Sequence, residues 1–181
     1  MKKDVLFKSV RALTVSSLLA AMSVVIGIFC KSFMNFGDGM FRISFEGLPI
    51  ILSGMIFGPI AGAAVGIASD LISYLLSPQI YPINLVVTVG AGVIGLVSGL
   101  VSKLVIKKRG NLQIITATAS AHLIGSLIIK SIGLFDYYGW GVLLRIPTYI
   151  LIATIEALII CMLYKNSGFK KLVDAIGKEN I

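Results

Sequence analysis

Long apolar runs separated by short polar connections form the dominant pattern of this chain. A transmembrane helix needs about 20 mostly apolar residues, whereas a membrane β-strand shows about 10 residues of alternating polarity. The unbroken runs therefore predict helices rather than a barrel. We expect an all-α integral membrane protein, a compact bundle of six transmembrane helices at about 12–30, 45–57, 60–76, 85–106, 112–134 and 142–164.

The second and third runs belong to one stretch, "FRISFEGLPIILSGMIFGPIAGAAVG", from Phe41 to Gly66. Charged residues precede the first apolar segment, which breaks at Phe57-Gly58-Pro59 and continues as a segment rich in small residues. This order predicts that the chain enters the membrane, turns and returns. Both helices are short for a hydrocarbon core of about 30 Å, which favours a compact bundle with a polar cup at its outer end.

Composition supports the bilayer as solvent. The chain has 181 residues, of which 57% are hydrophobic and 13% charged, and its mean hydropathy is +0.98. Soluble domains carry about 25% charged residues, so a water-soluble globule of this composition could not cover its surface. No polar stretch is long enough to fold alone, and residues 1–181 are predicted to form a single transmembrane domain.

The distribution of Lys and Arg predicts the orientation of the bundle. If there are six spans, most basic residues lie on one side, which the positive-inside rule identifies as cytoplasmic for both termini. These residues are Lys2, Lys3, Lys8, Arg11, Lys103, Lys107, Lys108, Arg109 and, in a polar C-terminal tail, Lys165, Lys170, Lys171 and Lys178. Topology and anionic lipid then explain the net charge of +8 without a nucleic-acid partner.

Polar and aromatic residues gather at the predicted outer level of the bundle. The polar ones are Arg42, Glu46, Asp70, Asn84, Lys130 and Arg145. The aromatic ones are Phe33, Phe36, Phe41, Phe45, Tyr74, Tyr81, Tyr137, Tyr138, Trp140 and Tyr149. Interfacial ion pairs and an aromatic belt are one explanation, and a binding pocket is the other. A belt should occur at both interfaces, so the one-sided distribution favours stacking on a planar ligand.

Other reactive residues indicate neither a metal centre nor catalysis. His122 has no second His or Cys nearby, so a hydrogen bond between helices is expected, and Glu156 is expected to pair within the bundle or to meet a partner protein. Cys30 and Cys161 are interpreted as structural thiols. No motif for ATP hydrolysis or covalent catalysis occurs, so we predict no metal, no cofactor and no enzyme activity.

Small residues recur about four apart through the first four predicted helices. The first helix carries Ser16/Ala20 and Ser17/Ala21, and glycines recur from Gly54 to Gly66 and again from Gly90 to Gly99. Such faces let helices approach closely in lipid. Internal packing is the default interpretation, and contact with another membrane protein is the alternative, which is strongest for the first helix.

The stretch "RISFEGLPIILSGMIFGPIAGAAVGIASDLISYLL", from Arg42 to Leu76, resembles the folate-family substrate-binding (S) components of energy-coupling factor (ECF) vitamin transporters. The segment after it, "YPINLVVTVGAG", departs from the Pro-Gly-Phe-Thr-like run of that family. The resemblance implies a protein of the bacterial cytoplasmic membrane that binds a vitamin at the outer face. It also implies assembly with a transmembrane coupling subunit and two cytoplasmic ATPases, with the small-residue face of the first helix contacting the coupling subunit.

The chemistry of folate fits the polar and aromatic residues. A pterin offers two adjacent N–H donors that one carboxylate can accept, and Asp70, or else Glu46, could supply that carboxylate. Aromatic walls are available from Phe41, Phe45, Tyr74, Tyr81 and Trp140, and Arg42, Lys130 or Arg145 suits the dianionic glutamate tail. Asn84, at the same outer level, is a further candidate for substrate binding. The alternatives are an S component for another vitamin, a stand-alone secondary transporter and, more weakly, a membrane enzyme.

Overall fold

The computed structural model describes residues 10–36, 41–77, 83–105 and 110–179 of the chain. Within these ranges it contains eight α-helices and one two-residue strand pairing. The elements are α1 (Val10–Phe33), β1 (Asn35–Phe36), β2 (Phe41–Arg42), α2 (Gly47–Phe57), α3 (Pro59–Leu76), α4 (Leu85–Leu100), α5 (Asn111–Ala121), α6 (Ser131–Tyr138), α7 (Arg145–Lys165) and α8 (Ser167–Glu179).

A short hairpin connects α1 to α2. Strands β1 and β2 pair in antiparallel fashion, with Asn35 opposite Arg42. Residues 37–40, between the two strands, lie outside the described residues. The pairing returns the chain to the end of α1, so that Arg42 and the residues after it enter α2 beside that helix.

The break between α2 and α3 has a clear stereochemical basis. Gly58 has a φ of 107°, a conformation that only glycine adopts without strain, and its N–H donates to Gly54 O at 2.9 Å. Pro59 opens α3, where a missing N–H costs nothing and the fixed φ suits a helix start. The Lys103 ammonium donates to Phe57 O at 3.2 Å and binds the end of α2.

Helices α2, α3 and α4 pack backbone against backbone through glycine. A methyl group placed on Gly95 would lie 2.1 Å from Gly62 O, and one on Gly54 would lie 2.3 Å from Gly95 O. Neither distance leaves room for a side chain. For this part of the chain, the small-residue pattern therefore serves internal packing rather than an external partner.

The second half of the bundle consists of two long helical legs. A π-helical segment, His122–Lys130, joins α5 to α6, and the chain turns at Gly139, whose φ is 52°. A 3₁₀ segment, Gly139–Leu144, leads into α7, which returns along α5 and the π-helical segment. A second π-helical segment, Val101–Val105, extends α4.

The C-terminal residues interpreted as a polar tail form an amphipathic helix, α8. The Phe169 ring packs edge-on against Tyr164 at 5.5 Å between centroids, and Val173, only 1% exposed, packs in a small cluster with Ile56 of α2. Apolar residues at positions 169, 172, 173 and 176 follow helical spacing between lysines. The helix was not predicted, because the lysines make the segment polar overall.

The surface of the bundle suits lipid. Four helical stretches of the described chain are long and apolar enough to cross a membrane, namely α1, α3, Leu85–Leu104 and the run Asn111–Lys165, while α2 is shorter. Many large apolar side chains on these stretches are exposed, whereas the interior holds a cluster around Ile51, Ile94 and Ile160. An apolar exterior around a packed interior is what a bilayer-embedded helix bundle requires.

Candidate functional site

Glu46, which directly precedes α2, is the centre of a polar group. Its Oε2 accepts from the Arg42 guanidinium at 2.8 Å and its Oε1 accepts from the Lys130 ammonium at 3.1 Å. The side chains of Arg42, Glu46 and Lys130 are 26%, 16% and 9% exposed, so these charges are largely withdrawn from solvent. Two cations on one carboxylate leave an excess of positive charge.

Helices α1 and α3 extend this polar group. The Ser23 hydroxyl donates to Glu46 O at 2.7 Å, and the Lys31 ammonium donates to Ser73 Oγ at 3.1 Å. Lys31 also interacts electrostatically with Glu46 and Asp70. We define the Glu46 cluster as Lys31, Arg42, Glu46, Asp70 and Lys130.

Asp70 belongs to this cluster but is held differently from Glu46. Its Oδ2 accepts from the Thr88 hydroxyl of α4 at 2.7 Å, and it attracts Lys130 and Lys31 electrostatically without forming a close ion pair with either. One carboxylate oxygen is thus fixed by a neutral donor. The geometry leaves the rest of the group available for another donor.

Arg145, at the start of α7, lies among aromatic side chains. Its guanidinium is 5.1 Å from the centroid of the Tyr138 ring, and it donates a long hydrogen bond of 3.5 Å to the Tyr149 hydroxyl. Tyr149 in turn interacts electrostatically with Lys130, and α7 contacts β2. These contacts connect Arg145 to the edge of the Glu46 cluster.

Asn84 and Trp140 lie together in a cleft that is separate from the Glu46 cluster. Asn84 caps α4 by accepting from the N–H groups of Val86 and Val87, and its amide donates to Gly133 O in α6. Both residues line a cleft of about 650 Å³ between α4 and α6. Trp140 is 77% exposed and packs edge-on against Phe135. No residue of the Glu46 cluster lines this cleft.

Phe45, Tyr74 and Tyr81 were predicted as aromatic walls of the ligand site. Phe45 and Tyr74 are half-buried, Phe45 just before Glu46 and Tyr74 just after Ser73. Tyr81 lies outside the described residues.

Four residues of the polar group were not predicted as site residues: Ser23, Lys31, Ser73 and Thr88. Lys31 had a usable signal, since it is a charge at the outer end of a predicted helix. Ser73 and Thr88 had none, because a serine or threonine inside an apolar helix usually bonds to its own backbone.

The four predicted interface residues of α1 do not share one face. Ser16 is 2% exposed and faces the interior, and Ala20 packs partly against the core. Ser17 and Ala21 lie on the exposed side. A partner helix could therefore reach Ser17 and Ala21 but could not reach Ser16 in this arrangement.

His122 and Glu156 form the interhelical contact expected of the histidine. His122 Nε2 lies 2.7 Å from Glu156 Oε2, and His122 Nδ1 lies 3.0 Å from Ser126 Oγ. Over residues 10–36, 41–77, 83–105 and 110–179, no three His, Cys, Asp or Glu side chains are arranged to hold a metal ion.

Comparison with known proteins gives a family and a fold. A family model described as "ECF transporter, substrate-specific component" matches residues 11–169. A crystal structure of FolT bound with folic acid superposes with a TM-score of 0.67 and 21% sequence identity, covering 83% of this chain and 90% of that chain. At this identity the likeness shows a shared fold. No curated protein sequence matches the chain.

The family match spans most of the described helices and the residues of the Glu46 cluster. Members of this family are substrate-binding components of transporters, not enzymes, and several apolar helices make this chain a multi-pass membrane protein. The chain belongs to the family of substrate-specific components of ECF transporters.

Proposed function

We propose that this chain is the folate-binding S component of an ATP-driven ECF importer in the bacterial cytoplasmic membrane. It captures folate, or a close relative, at the outer face and delivers it inward together with a transmembrane coupling subunit and two cytoplasmic ATPases. The family match supports the role of an S component, and the FolT structure with folic acid supports a fold that accommodates a pterin ligand.

The observation that carries this proposal is a pair of buried polar atoms beside Glu46. Arg42 Nε and Ser44 Oγ are buried and have no hydrogen-bond partner among the described residues. Folded proteins rarely leave such groups unpaired, because each costs about 1–3 kcal/mol. A bound anionic ligand would supply the missing partners, and the carboxylates of a glutamate tail suit an arginine N–H and a hydroxyl.

The charge of the Glu46 cluster also suits folate. In the described part of the chain, Lys31, Arg42 and Lys130 lie beside two carboxylates, Glu46 and Asp70, which leaves one positive charge in excess. A bound anion would offset this excess. Positive charge withdrawn from water acts more strongly on an anion than the same charge at an exposed surface.

Asp70 is the preferred acceptor for the pterin. Both oxygens of Glu46 already accept from cations, whereas Asp70 has one oxygen bound to Thr88 and no close ion pair. The pterin amino group and ring N–H would complete its hydrogen bonding. Phe45 and Tyr74 are proposed as apolar walls. Tyr81, Asn84 and Trp140 stay predictions from the sequence, because Tyr81 lies outside the described residues and no residue of the Glu46 cluster lines the cleft of Asn84 and Trp140.

Six membrane crossings are proposed from the arrangement of the helices. They correspond to α1, α2, α3, α4, the leg from α5 to α6, and α7, with both termini cytoplasmic. The exposed Lys103, Lys165, Lys170 and Lys171 lie near the α2–α3 turn and α8, away from Glu46, which agrees with the positive-inside rule.

The coupling subunit is proposed to contact the exposed face of α1 through Ser17 and Ala21. Small side chains there allow close approach of a partner helix. A change of Ala21 to Leu should block assembly and leave folate binding intact, as a pull-down of the coupling subunit would measure. Survival of the complex would place the interface elsewhere.

Mass spectrometry of the small molecule that co-purifies with the chain tests the ligand class. The proposal predicts a pterin, and a different vitamin in its place would favour the alternative S component. Proteoliposomes that contain this chain alone test the mode of transport. We expect no uptake without the coupling subunit and ATPases, and uptake driven by an ion gradient would favour a secondary transporter.

A further inference from the structure

A buried polar triplet lies in the interior of the bundle between the π-helical segment and α7. Glu156 is 0% exposed, and its Oε2 is 2.7 Å from His122 Nε2, whose ring binds Ser126 on its other side at 3.0 Å. Glu156 Oε1 is buried without a hydrogen-bond partner in the described part of the chain. A carboxylate is expensive to bury in this way, and packing alone would be served better by an apolar side chain.

The triplet touches the first residue of α2. A methyl group on Gly47 would lie 3.0 Å and 3.1 Å from the two carboxylate oxygens of Glu156, and 3.2 Å from His122 Cε1. Gly47 directly follows Glu46, the centre of the Glu46 cluster. The position of the His122–Glu156 pair thus limits where the backbone of Glu46 can lie.

A second connection runs through the π-helical segment. His122 is its first residue and Lys130, which binds Glu46 Oε1 at 3.1 Å, is its last. Segments of π-helix are rare and often occur at functional sites. The His122–Glu156 contact therefore restrains two backbone segments, the start of α2 beside Glu46 and the π-helical segment that carries Lys130.

We infer that His122 and Glu156 are positioning residues for the ligand site, because their contact fixes the start of α2 and the π-helical segment on which Glu46 and Lys130 are carried. Only the predicted change in folate affinity rests on the proposed function. The geometric part, control of the start of α2, does not depend on the ligand.

The experiment compares three variants of the full chain purified in detergent. Glu156→Leu removes the contact, Glu156→Gln keeps an oxygen that can accept from His122, and Gly47→Ala crowds the pair without removing it. We expect Glu156→Leu and Gly47→Ala to weaken binding of radiolabelled folic acid by about tenfold, which is the range for directly coupled residues. Glu156→Gln should bind within about twofold of the original chain.

Gln113→Leu is the matched control. It removes another buried hydrogen bond, from Gln113 Nε2 to Ser102 O at 2.6 Å, which lies at the other end of the bundle. It should lower thermal stability without changing affinity for folic acid. An equal loss of affinity in Gln113→Leu, or no rescue in Glu156→Gln, would overturn the positioning role.

Two further measurements separate positioning from general stability. In a Glu46→Gln background, Glu156→Leu should cause no additional loss of affinity, whereas fully additive losses would contradict the inference. Hydrogen exchange of a peptide covering residues 43–49 should speed up in Glu156→Leu and not in Gln113→Leu. This second measurement needs no ligand, so it stands even if the chain does not bind folic acid, and unchanged exchange overturns the inference.

Discussion

At the scale of single residues, the two carboxylates of the Glu46 cluster have different tasks. Glu46 holds Arg42 and Lys130 in place, and both of its oxygens are occupied. Asp70 is oriented by Thr88 and forms no close ion pair with Lys31 or Lys130. A carboxylate that is fixed by a neutral donor is better prepared to recognise a ligand than one already neutralised by two cations.

The variant Asp70→Asn should weaken folate binding by about 1–3 kcal/mol, because an amide can accept only one of the two pterin donors. Thr88→Val should have a smaller effect, about 1 kcal/mol, since it removes only the hydrogen bond that orients Asp70. Isothermal titration calorimetry measures both. Unchanged affinity in Asp70→Asn would refute the role of this carboxylate.

The sequence pointed to only part of this cluster. Arg42 and Glu46 are four residues apart and were predicted together, and Lys130 was identified as a charge inside an apolar run. The ion pair between Glu46 and Lys130, which are 84 residues apart, could not be derived from sequence spacing. Ser73 and Thr88 were missed because nothing in the sequence distinguishes a serine or threonine that binds a charged partner from one that binds its own helix.

At the scale of helices, α2, α3 and α4 pack backbone against backbone. Gly95 lies where a side chain would meet the backbone of Gly62. The π-helical segments and the 3₁₀ turn belong to the other half of the bundle or its edge. The glycine repeat could be seen in the sequence, whereas the π-helical segments were not predicted, because such segments are rare and the apolar pattern reads as continuous α-helix.

The variant Gly95→Ala should lower thermal stability by about 1–3 kcal/mol, because its methyl group would overlap the backbone of α3. Gly110→Ala is the control, since nothing lies within 4 Å of a methyl group there. Thermal unfolding in detergent, followed by tryptophan fluorescence, measures both. Equal stability of the two variants would contradict the backbone contact between α3 and α4.

Helix α8 is held to the bundle by its apolar face. Val173→Ala should reduce stability by about 1 kcal/mol, because a buried methyl-bearing side chain is truncated. Leu172→Ala, at a position that is 57% exposed, should have little effect in the same unfolding assay. A larger loss from Leu172→Ala would mean that α8 packs through a different face.

At the scale of the whole molecule, the Glu46 cluster and the exposed lysines occupy opposite ends of the bundle. The Glu46 cluster lies at the start of α2, and the exposed lysines lie near its end, beside Gly58 and α8. This separation supports the proposed orientation of the protein in the membrane. It agrees with an importer that receives its ligand on one side and meets its partners from within the bilayer and on the other side.

Cysteine labelling of intact cells tests this direction. In a background without Cys30 and Cys161, Trp140→Cys should react with a membrane-impermeant maleimide added outside. Lys171→Cys should react only after the cells are opened, because α8 is predicted to be cytoplasmic. The reverse pattern would invert the proposed orientation.

The proposed function requires that this chain binds folate by itself. Titration of the detergent-purified chain with radiolabelled folic acid, in the absence of any coupling subunit or ATPase, measures it directly. We expect saturable binding of one folate per chain at micromolar concentration or below. Asp70→Asn should weaken this binding, and Ala21→Leu should leave it unchanged. No saturable binding at micromolar folic acid would contradict it.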